Sequence, residues 1–394
     1  MAASSQNRLA AQNSPPAKPP GLYARLQRFW QRVTEGREID QLWLQFKTDA
    51  RASYRLYSRD LAAKSPQASW RHNFWHTLQE FAWAILEKLS PARRVLLLIG
   101  IVLLIIPSGG FDFHTRQGEV VAAQFDFHFY GGVVLLLLLT LEIADRVVMK
   151  RDLEIARDIQ SWLLPASPPP VPGLTLAFAT RPANTVAGDY YDVFARPVPG
   201  SGEPRFLIAV ADVAGKSIPA ALLMATFQAS LKTLSITAAS LAELVVGMNQ
   251  YACGNSQGGV RFTTAFLAEF DPARRSLTYI NAGHNAPVLR HSAGQVERLT
   301  NGGLPLGILA DAPYQSGSTT LGNGDWLLIF TDGLVEAENS RAEEYGEPRM
   351  LNVMQLGAGS TPQELLRRMM ADVDAFVGAT PQHDDITCLL LKVA

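Results

Sequence analysis

An apolar, β-branched run that ends in a carboxylate constrains this chain more than any other feature. Ile208-Ala-Val-Ala-Asp212 leads through Val213-Ala-Gly-Lys-Ser into an Ala/Leu/Met-rich stretch that begins near Pro219. Such a run reads as a buried strand carrying Asp212 at its tip, beside a helix start marked by proline. Three other segments repeat the device. Gly188-Asp189 precedes the strand-like residues 190–194, residues 326–330 lead through Thr331 to Asp332-Gly333, and His383-Asp384-Asp385 opens the run 386–393. Taken singly, each Asp is equally well a turn or cap residue. Four of them at the ends of separate strands read as one acidic cluster, and oxygen-rich clusters suit hard cations.

Charge and cysteine content remove several alternatives. The net charge of −1 leaves no basic surplus for a nucleic-acid footprint. It conceals an asymmetry, since residues 1–94 hold 15 Lys/Arg against 7 Asp/Glu. The two cysteines, Cys253 and Cys388, stand in no CxxC or His-linked pattern, so neither a disulfide framework nor a zinc site is expected, and a reducing compartment fits.

Upstream of the strand-rich part, residues 1–20 are Ser/Ala/Gln/Pro-rich without apolar period and read as disordered. Residues 21–90 have a helical pattern with many aromatics, either a small bundle or amphipathic helices lying on an anionic leaflet. Two uncharged apolar runs follow inside 91–145, with spans expected at about 95–111 and 125–143. Arg93 and Arg94 precede the first, and Arg146, Lys150 and Arg151 follow the second, while the intervening loop holds only Arg116. By the positive-inside rule this is a two-span hairpin with both ends cytoplasmic; the alternative is a pair of buried core helices. The stretch 142–164 reads as one helix with Met149, Leu153, Ala156, Ile159 and Leu163 along a seam suited to pairing two copies. It is a regulatory connector (146–166 of the chain) or a passive spacer. From 167 to 394, strands alternate with a few long helices, which suggests an α+β layered sandwich.

The strings Arg157-Asp-Ile-Gln…Leu-Leu-Pro165, Ala187-Gly-Asp-Tyr-Tyr-Asp192, Asp212-Val-Ala-Gly-Lys-Ser-Ile-Pro-Ala-Ala-Leu222, Asn281-Ala-Gly-His-Asn-Ala-Pro287, Leu304-Pro-Leu-Gly307, Thr331-Asp-Gly-Leu-Val-Glu336 and Asp384-Asp-Ile-Thr387 occur in this order. Over about 153–393 the chain resembles the metal-dependent Ser/Thr protein phosphatases of the PPM family, in the bacterial branch typified by the stage II sporulation protein E domain. The resemblance implies an α-β-β-α sandwich and a site for two divalent ions, Mn²⁺ or Mg²⁺. It implies ligation by Asp189, Asp212, the Val213 carbonyl, Asp332 and Asp384, with Asp385 ranked after them, and hydrolysis by water activated between the two ions. It further implies a phosphorylated regulatory partner, such as a STAS-type anti-sigma-factor antagonist. The rival is a signalling scaffold that keeps the fold with weak or no turnover.

Some positions depart from the family pattern or stay open. Ala214 stands where many eukaryotic relatives have His, and Ala187 and Ser217 stand where this branch often has Gly. His284 is either a general acid or a hydrogen-bonding turn residue. Arg181 is a weak candidate for gripping phosphate. The combined expectation is a multi-pass inner-membrane phosphatase with its N terminus and catalytic domain in the cytoplasm, and with a homodimer formed through the linker helix.

Overall fold

The computed structural model describes Trp83, Leu86 and residues 89–394 apart from 108, 115–119, 198–204, 256–260 and 358. The expectations for 1–20 and for nearly all of 21–90 lie outside the described residues, as does Arg116. The chain divides into two compact units, Met1–Glu142 and Ile143–Ala394.

The first unit contains α1 (Pro91–Ile105), β1 (Gly109–His114), β2 (Val120–Phe125) and the start of α2 (Phe127–Leu163). Pro91 opens α1 at a position that needs no N–H. Pro107 ends it, because the residue before a proline is driven out of the helical region; Ile106 is extended, with ψ 124°. β1 and β2 then pair antiparallel, with Gly109 opposite Phe125. This corrects the first expected span, which was to continue to 111, and the start of the second, since residues 120–125 are strand. At 1.5 Å per residue the 15 residues of α1 cover about 22 Å, short of a hydrocarbon core of about 30 Å. Among the described residues, no helix is long and apolar enough to cross a membrane. Both helices still expose large apolar side chains, including Val95, Leu98 and Val102 on α1 and Phe129, Val133 and Leu136 on α2. Arg93 pairs with Glu142 at 3.1 Å.

A second correction concerns α2. The helix expected to begin at Glu142 is continuous with the second apolar run, giving one helix of 37 residues. No proline or capping signal interrupts 127–163, so the change from apolar to charged composition does not break it. Along its last part, Leu153, Ala156 and Leu163 are half-buried and Gln160 is buried, while Ile155, Ile159 and Trp162 are exposed.

The second unit runs β3 (Leu174–Arg181), β4 (Tyr190–Arg196), β5 (Arg205–Val213), α3 (Ser217–Thr237), α4 (Leu241–Asn255), β6 (Thr263–Asp271), β7 (Ser276–Ala282), β8 (Val288–Arg290), β9 (Val296–Arg298), β10 (Gly302–Gly303), β11 (Gly317–Thr320), β12 (Trp326–Phe330), a 3₁₀ turn (Asp332–Leu334), α5 (Glu347–Leu356), α6 (Pro362–Val377) and β13 (Ile386–Val393). One sheet has the order β10-β7-β6-β5-β4, with β11 also on β7; the other has β3-β13-β12-β8-β9. Central strands carry apolar residues on both faces, since both faces are covered. Residues 206–211 of β5 and all of β12 are buried.

Three apolar layers follow from this. Tyr191, Val193, Ile208, Phe266, Ile329 and Leu389 fill the space between the sheets. Leu207, Ala209 and Leu267 face Met224 and Leu231 of α3 and Leu244 of α4. On the opposite side, Leu328, Phe330 and Leu390 face Met350 of α5 and Leu365 and Met369 of α6. The result is the α-β-β-α sandwich expected from the resemblance. α6 opens on a capping box: Thr361 Oγ1 accepts from the Glu364 N–H, while the Glu364 carboxylate accepts from the Thr361 N–H.

Candidate functional site

Strand register brings the four carboxylates to one end of the sandwich. β4 and β5 are antiparallel with Tyr190 opposite Ala211, so Asp189 and Asp212 face each other one step beyond that pair. β12 and β13 are antiparallel with Phe330 opposite Cys388. The Thr331 N–H continues this ladder to the Thr387 carbonyl at 3.0 Å, which sets Asp332 beside the 384–385 segment. The Thr331 hydroxyl joins the two sheets by donating to Asp189 Oδ2 at 2.9 Å, and it accepts from the Thr387 N–H at 2.9 Å. Gly333 lets the 3₁₀ turn lie against the other segment, because a Cβ there would fall 2.1 Å from the Asp385 carbonyl oxygen.

Burial and mutual repulsion set the charge state of this corner. Asp189 is buried, and its carboxyl is held well above the ordinary range by desolvation first and by the charge of Asp212 next. Burial pushes Asp212 up to about 7, reinforced by the charges of Asp332, Asp384 and Asp385. Asp332 is raised by burial and then by Asp384. Lys216 Nζ stands 3.0 Å from Asp384 Oδ2 and donates to the His383 carbonyl at 2.6 Å. It lies within the turn, between Gly215 and Ser217, which adopt φ 119° and 64°. A serine in the left-handed region explains why glycine is the easier residue there.

Asp385 is placed differently from the other acids. Its two oxygens accept from the Ala183 N–H at 2.7 Å and the Gly188 N–H at 2.6 Å, bracing the loop that presents Asp189. Burial raises its carboxyl and these two bonds act against the rise. A cleft of about 310 Å³ opens beside the corner, lined by Lys216, Asp384, Glu336 and His383 among others.

Two other candidates already have partners, although Arg181 lines the same cleft. Arg181 forms a fork to Asp374 of α6, at 2.5 and 3.1 Å, so its guanidinium is already engaged by a carboxylate. His284 is buried, with Nδ1 3.0 Å from Thr264 Oγ1, and burial lowers it to about 4. Its backbone N–H donates to Asn281 Oδ1 at 2.7 Å, closing the turn. Gly283, at φ 68°, lies against Pro305. The motifs around Asn281 and Leu304 are thus one clasp, and His284 is the turn residue of the two readings. Cys388 is buried and its thiol is pushed up to about 12 by that burial.

Comparison with known proteins meets the same end of the chain. The sequence profile of the family "Stage II sporulation protein E (SpoIIE)" matches residues 202–394. The chain carries a SpoIIE-type PP2C phosphatase domain. It is similar to the phosphoserine phosphatase RsbU of Bacillus subtilis, 29% identical over 248 residues, covering 62% of this chain and 70% of that protein. It is also similar to protein IcfG of Synechocystis sp., 25% identical over 278 residues, covering 64% of this chain and 43% of that protein. The chain therefore spans less than half the length of IcfG. Among solved structures, the SiaA-PP2C domain of Pseudomonas aeruginosa has the same fold at 22% identity and a TM-score of 0.55, covering 64% of this chain and 99% of that domain. The SpoIIE-type domain is of the protein serine/threonine phosphatase class.

The donor chemistry of the corner suits a divalent cation. Asp189, Asp212, Asp332 and Asp384 offer only oxygen, and the repulsion that raises three of them is what a positive ion relieves. Among the described residues, no group of three or more His, Cys, Asp or Glu side chains is already drawn together as a ready-made cation shell. The fit thus rests on oxygen chemistry and on charge in excess of the single nearby Lys216.

Proposed function

We propose that this chain is a metal-dependent phosphoprotein phosphatase that hydrolyses phosphoserine or phosphothreonine on a regulatory partner protein. The observation that carries the reading is the convergence of Asp189, Asp212, Asp332 and Asp384 at one end of the two sheets, where burial and then neighbouring carboxylates raise Asp189, Asp212 and Asp332. In this reading these four, with the Val213 carbonyl, hold two divalent ions, Mn²⁺ or Mg²⁺. Bound there, the ions supply Lewis-acid stabilisation of the phosphoryl oxygens and an activated water for in-line attack.

The chain's own residues do the remaining work. Asp385 acts as a brace, because both of its oxygens are taken by backbone N–H groups. Lys216, half-exposed at the cleft, is assigned to the phosphate of the substrate in place of Arg181. The cleft of about 310 Å³ is ample for a phosphorylated side chain. RsbU bears the name of a phosphoserine phosphatase, and the partner proposed here, a STAS-type anti-sigma-factor antagonist, is of the class the resemblance implies. Incubating the purified protein with a phosphoserine peptide and Mn²⁺ tests the activity: phosphate release that a chelator abolishes is expected, and release indifferent to the chelator overturns the reading.

Membrane attachment and pairing belong to the same proposal. Attachment is supported by the apolar side chains that α1 and the first part of α2 expose, not by a helix of spanning length. Recovery of the whole chain in the soluble fraction without detergent would remove it. Pairing of two copies through α2 is supported by exposed Ile155, Ile159 and Trp162, and Ile159→Asp is expected to abolish it in sedimentation measurements.

A further inference from the structure

One polar side chain on α2 is buried where its neighbours along the same face are apolar. Gln160 is 7% exposed, and both ends of its amide are used on a single residue of the catalytic loop. Its Nε2 donates to the Ala187 carbonyl at 2.7 Å, and its Oε1 accepts from the Ala187 N–H at 3.0 Å. The amide thereby completes the hydrogen bonding of a buried peptide that no strand pairs, as a neighbouring strand would have done. The next N–H in the chain, that of Gly188, donates to Asp385 Oδ2 at 2.6 Å, and the next side chain is Asp189. Gln160 and Asp385 therefore hold the loop from opposite directions, one through Ala187 and the other through Ala183 and Gly188.

We infer that Gln160 is a positioning residue for the cation site: it fixes the backbone that presents Asp189, and so makes the end of α2 an outer part of the catalytic corner. The inference rests on the reading of that corner as a divalent-cation site. Three observations support it. Both side-chain hydrogen bonds of Gln160 go to the backbone of Ala187, so its effect on the acids passes through the loop. Asp189 is buried directly after the held segment, so the placement of its oxygens follows the backbone that Gln160 fixes. The two bonds are buried, so losing them leaves a peptide N–H and C=O without partners.

The test uses the full-length protein with Mn²⁺ alone as the probe, read by titration calorimetry, with melting of the cation-free protein measured alongside. Gln160→Ala removes both bonds and leaves a hole. Gln160→Met fills the same space with no hydrogen bonds. Leu164→Ala removes an apolar side chain that packs on the core just beyond the same helix. Outer-shell partners of metal ligands characteristically contribute about 10- to 100-fold in affinity, so both Gln160 variants are expected to bind Mn²⁺ that much more weakly, with turnover recovering at saturating Mn²⁺. Gln160→Met should melt closer to wild type than Gln160→Ala, yet bind Mn²⁺ no better. Leu164→Ala should lower the melting temperature and leave Mn²⁺ affinity unchanged. If the Gln160 variants bind Mn²⁺ as wild type does, Gln160 is a packing residue and the inference is overturned. If wild type itself binds no Mn²⁺, the cation reading falls first and this inference falls with it.

Discussion

The catalytic unit contains two corners built from motif residues, and they resolve their polar atoms in opposite ways. In the clasp of Asn281, His284, Pro305 and Leu306, most polar groups find partners inside the protein: Asn281 caps the turn, His284 is neutral with Nδ1 against Thr264, and Thr263 and Leu306 exchange backbone bonds at 2.9 and 2.8 Å, while His284 Nε2 is buried without a hydrogen-bond partner among the described residues. In the corner of Asp189, Asp212, Asp332 and Asp384, like charges are brought together beside Lys216, and burial leaves the acidity of Asp189, Asp212 and Asp332 suppressed. Both corners are legible as short polar motifs. What separates them is charge: a corner that is neutral and mostly hydrogen-bonded within the protein is scaffold, whereas one that holds unrelieved like charge needs something from outside.

The sharpest way to break this comparison is to neutralise one acid. Asp332→Asn or Asp212→Asn is expected to cut turnover more than about 100-fold, beyond the effect of outer-shell partners, because each deletes a charged oxygen donor. The comparison predicts the opposite sign for stability. A carboxyl raised to about 7 in the folded state favours folding at low pH and loses that advantage as pH rises through 7. Asp212→Asn should therefore melt at a higher temperature than wild type above that pH when a chelator is present. A lower melting temperature would mean that Asp212 is satisfied internally, like the clasp.

The clasp should give the mirror image. Gly283→Ala forces a side chain into φ 68° and places its Cβ 2.5 Å from Pro305 Cγ. Denaturant unfolding should show a loss of about 2–4 kcal/mol from strain and overpacking together, with Mn²⁺ affinity unaltered. His284 sharpens the same point through pH. Its folded value of about 4 lies below the ordinary 6.5, so the unfolded chain takes up a proton first as pH falls. Stability should fall between about 6.5 and 4 by on the order of 3 kcal/mol more in wild type than in His284→Asn. Equal pH profiles would contradict a buried neutral His284. The smallest expected effect is at Lys216. Lys216→Ala should lower kcat/KM for a phosphoserine peptide about tenfold, the loss of one charge-assisted bond, and leave the melting temperature nearly unchanged, since the Lys216–Asp384 pair is largely exposed.

Strands, helices and the convergence of the four acids were readable before any coordinates, because each rests on a local signal: β-branched runs, Thr361-Pro362 at a helix start, and Asp at strand ends. The features that escaped depend on what lies across space. Asp385 reads like Asp384 in sequence, yet its oxygens are spent on Ala183 and Gly188, about 200 positions upstream. Arg181 reads as a weak candidate for gripping phosphate near the first motif, and Asp374 on α6 engages its guanidinium. Gln160 was passed over inside the seam of Leu153, Ala156 and Leu163; a lone amide on a half-buried apolar stripe was the signal that something polar faced it. The apolar run 95–111 misled through composition alone, since Pro107 ends α1 and Gly109 opens a strand. The short helix α5 and strand β11 were missed because Glu347–Leu356 is weakly amphipathic and Gly317–Thr320 is brief and polar.

The most direct test of the central claim is calorimetric titration of the full-length protein with Mn²⁺, paired with phosphate release from a phosphoserine peptide in the same preparation. The account predicts saturable Mn²⁺ binding, release that appears with the ion and vanishes with a chelator, and loss of both in Asp332→Asn while the variant remains folded. Phosphate release that persists in the chelator, or in Asp332→Asn without bound Mn²⁺, would contradict it.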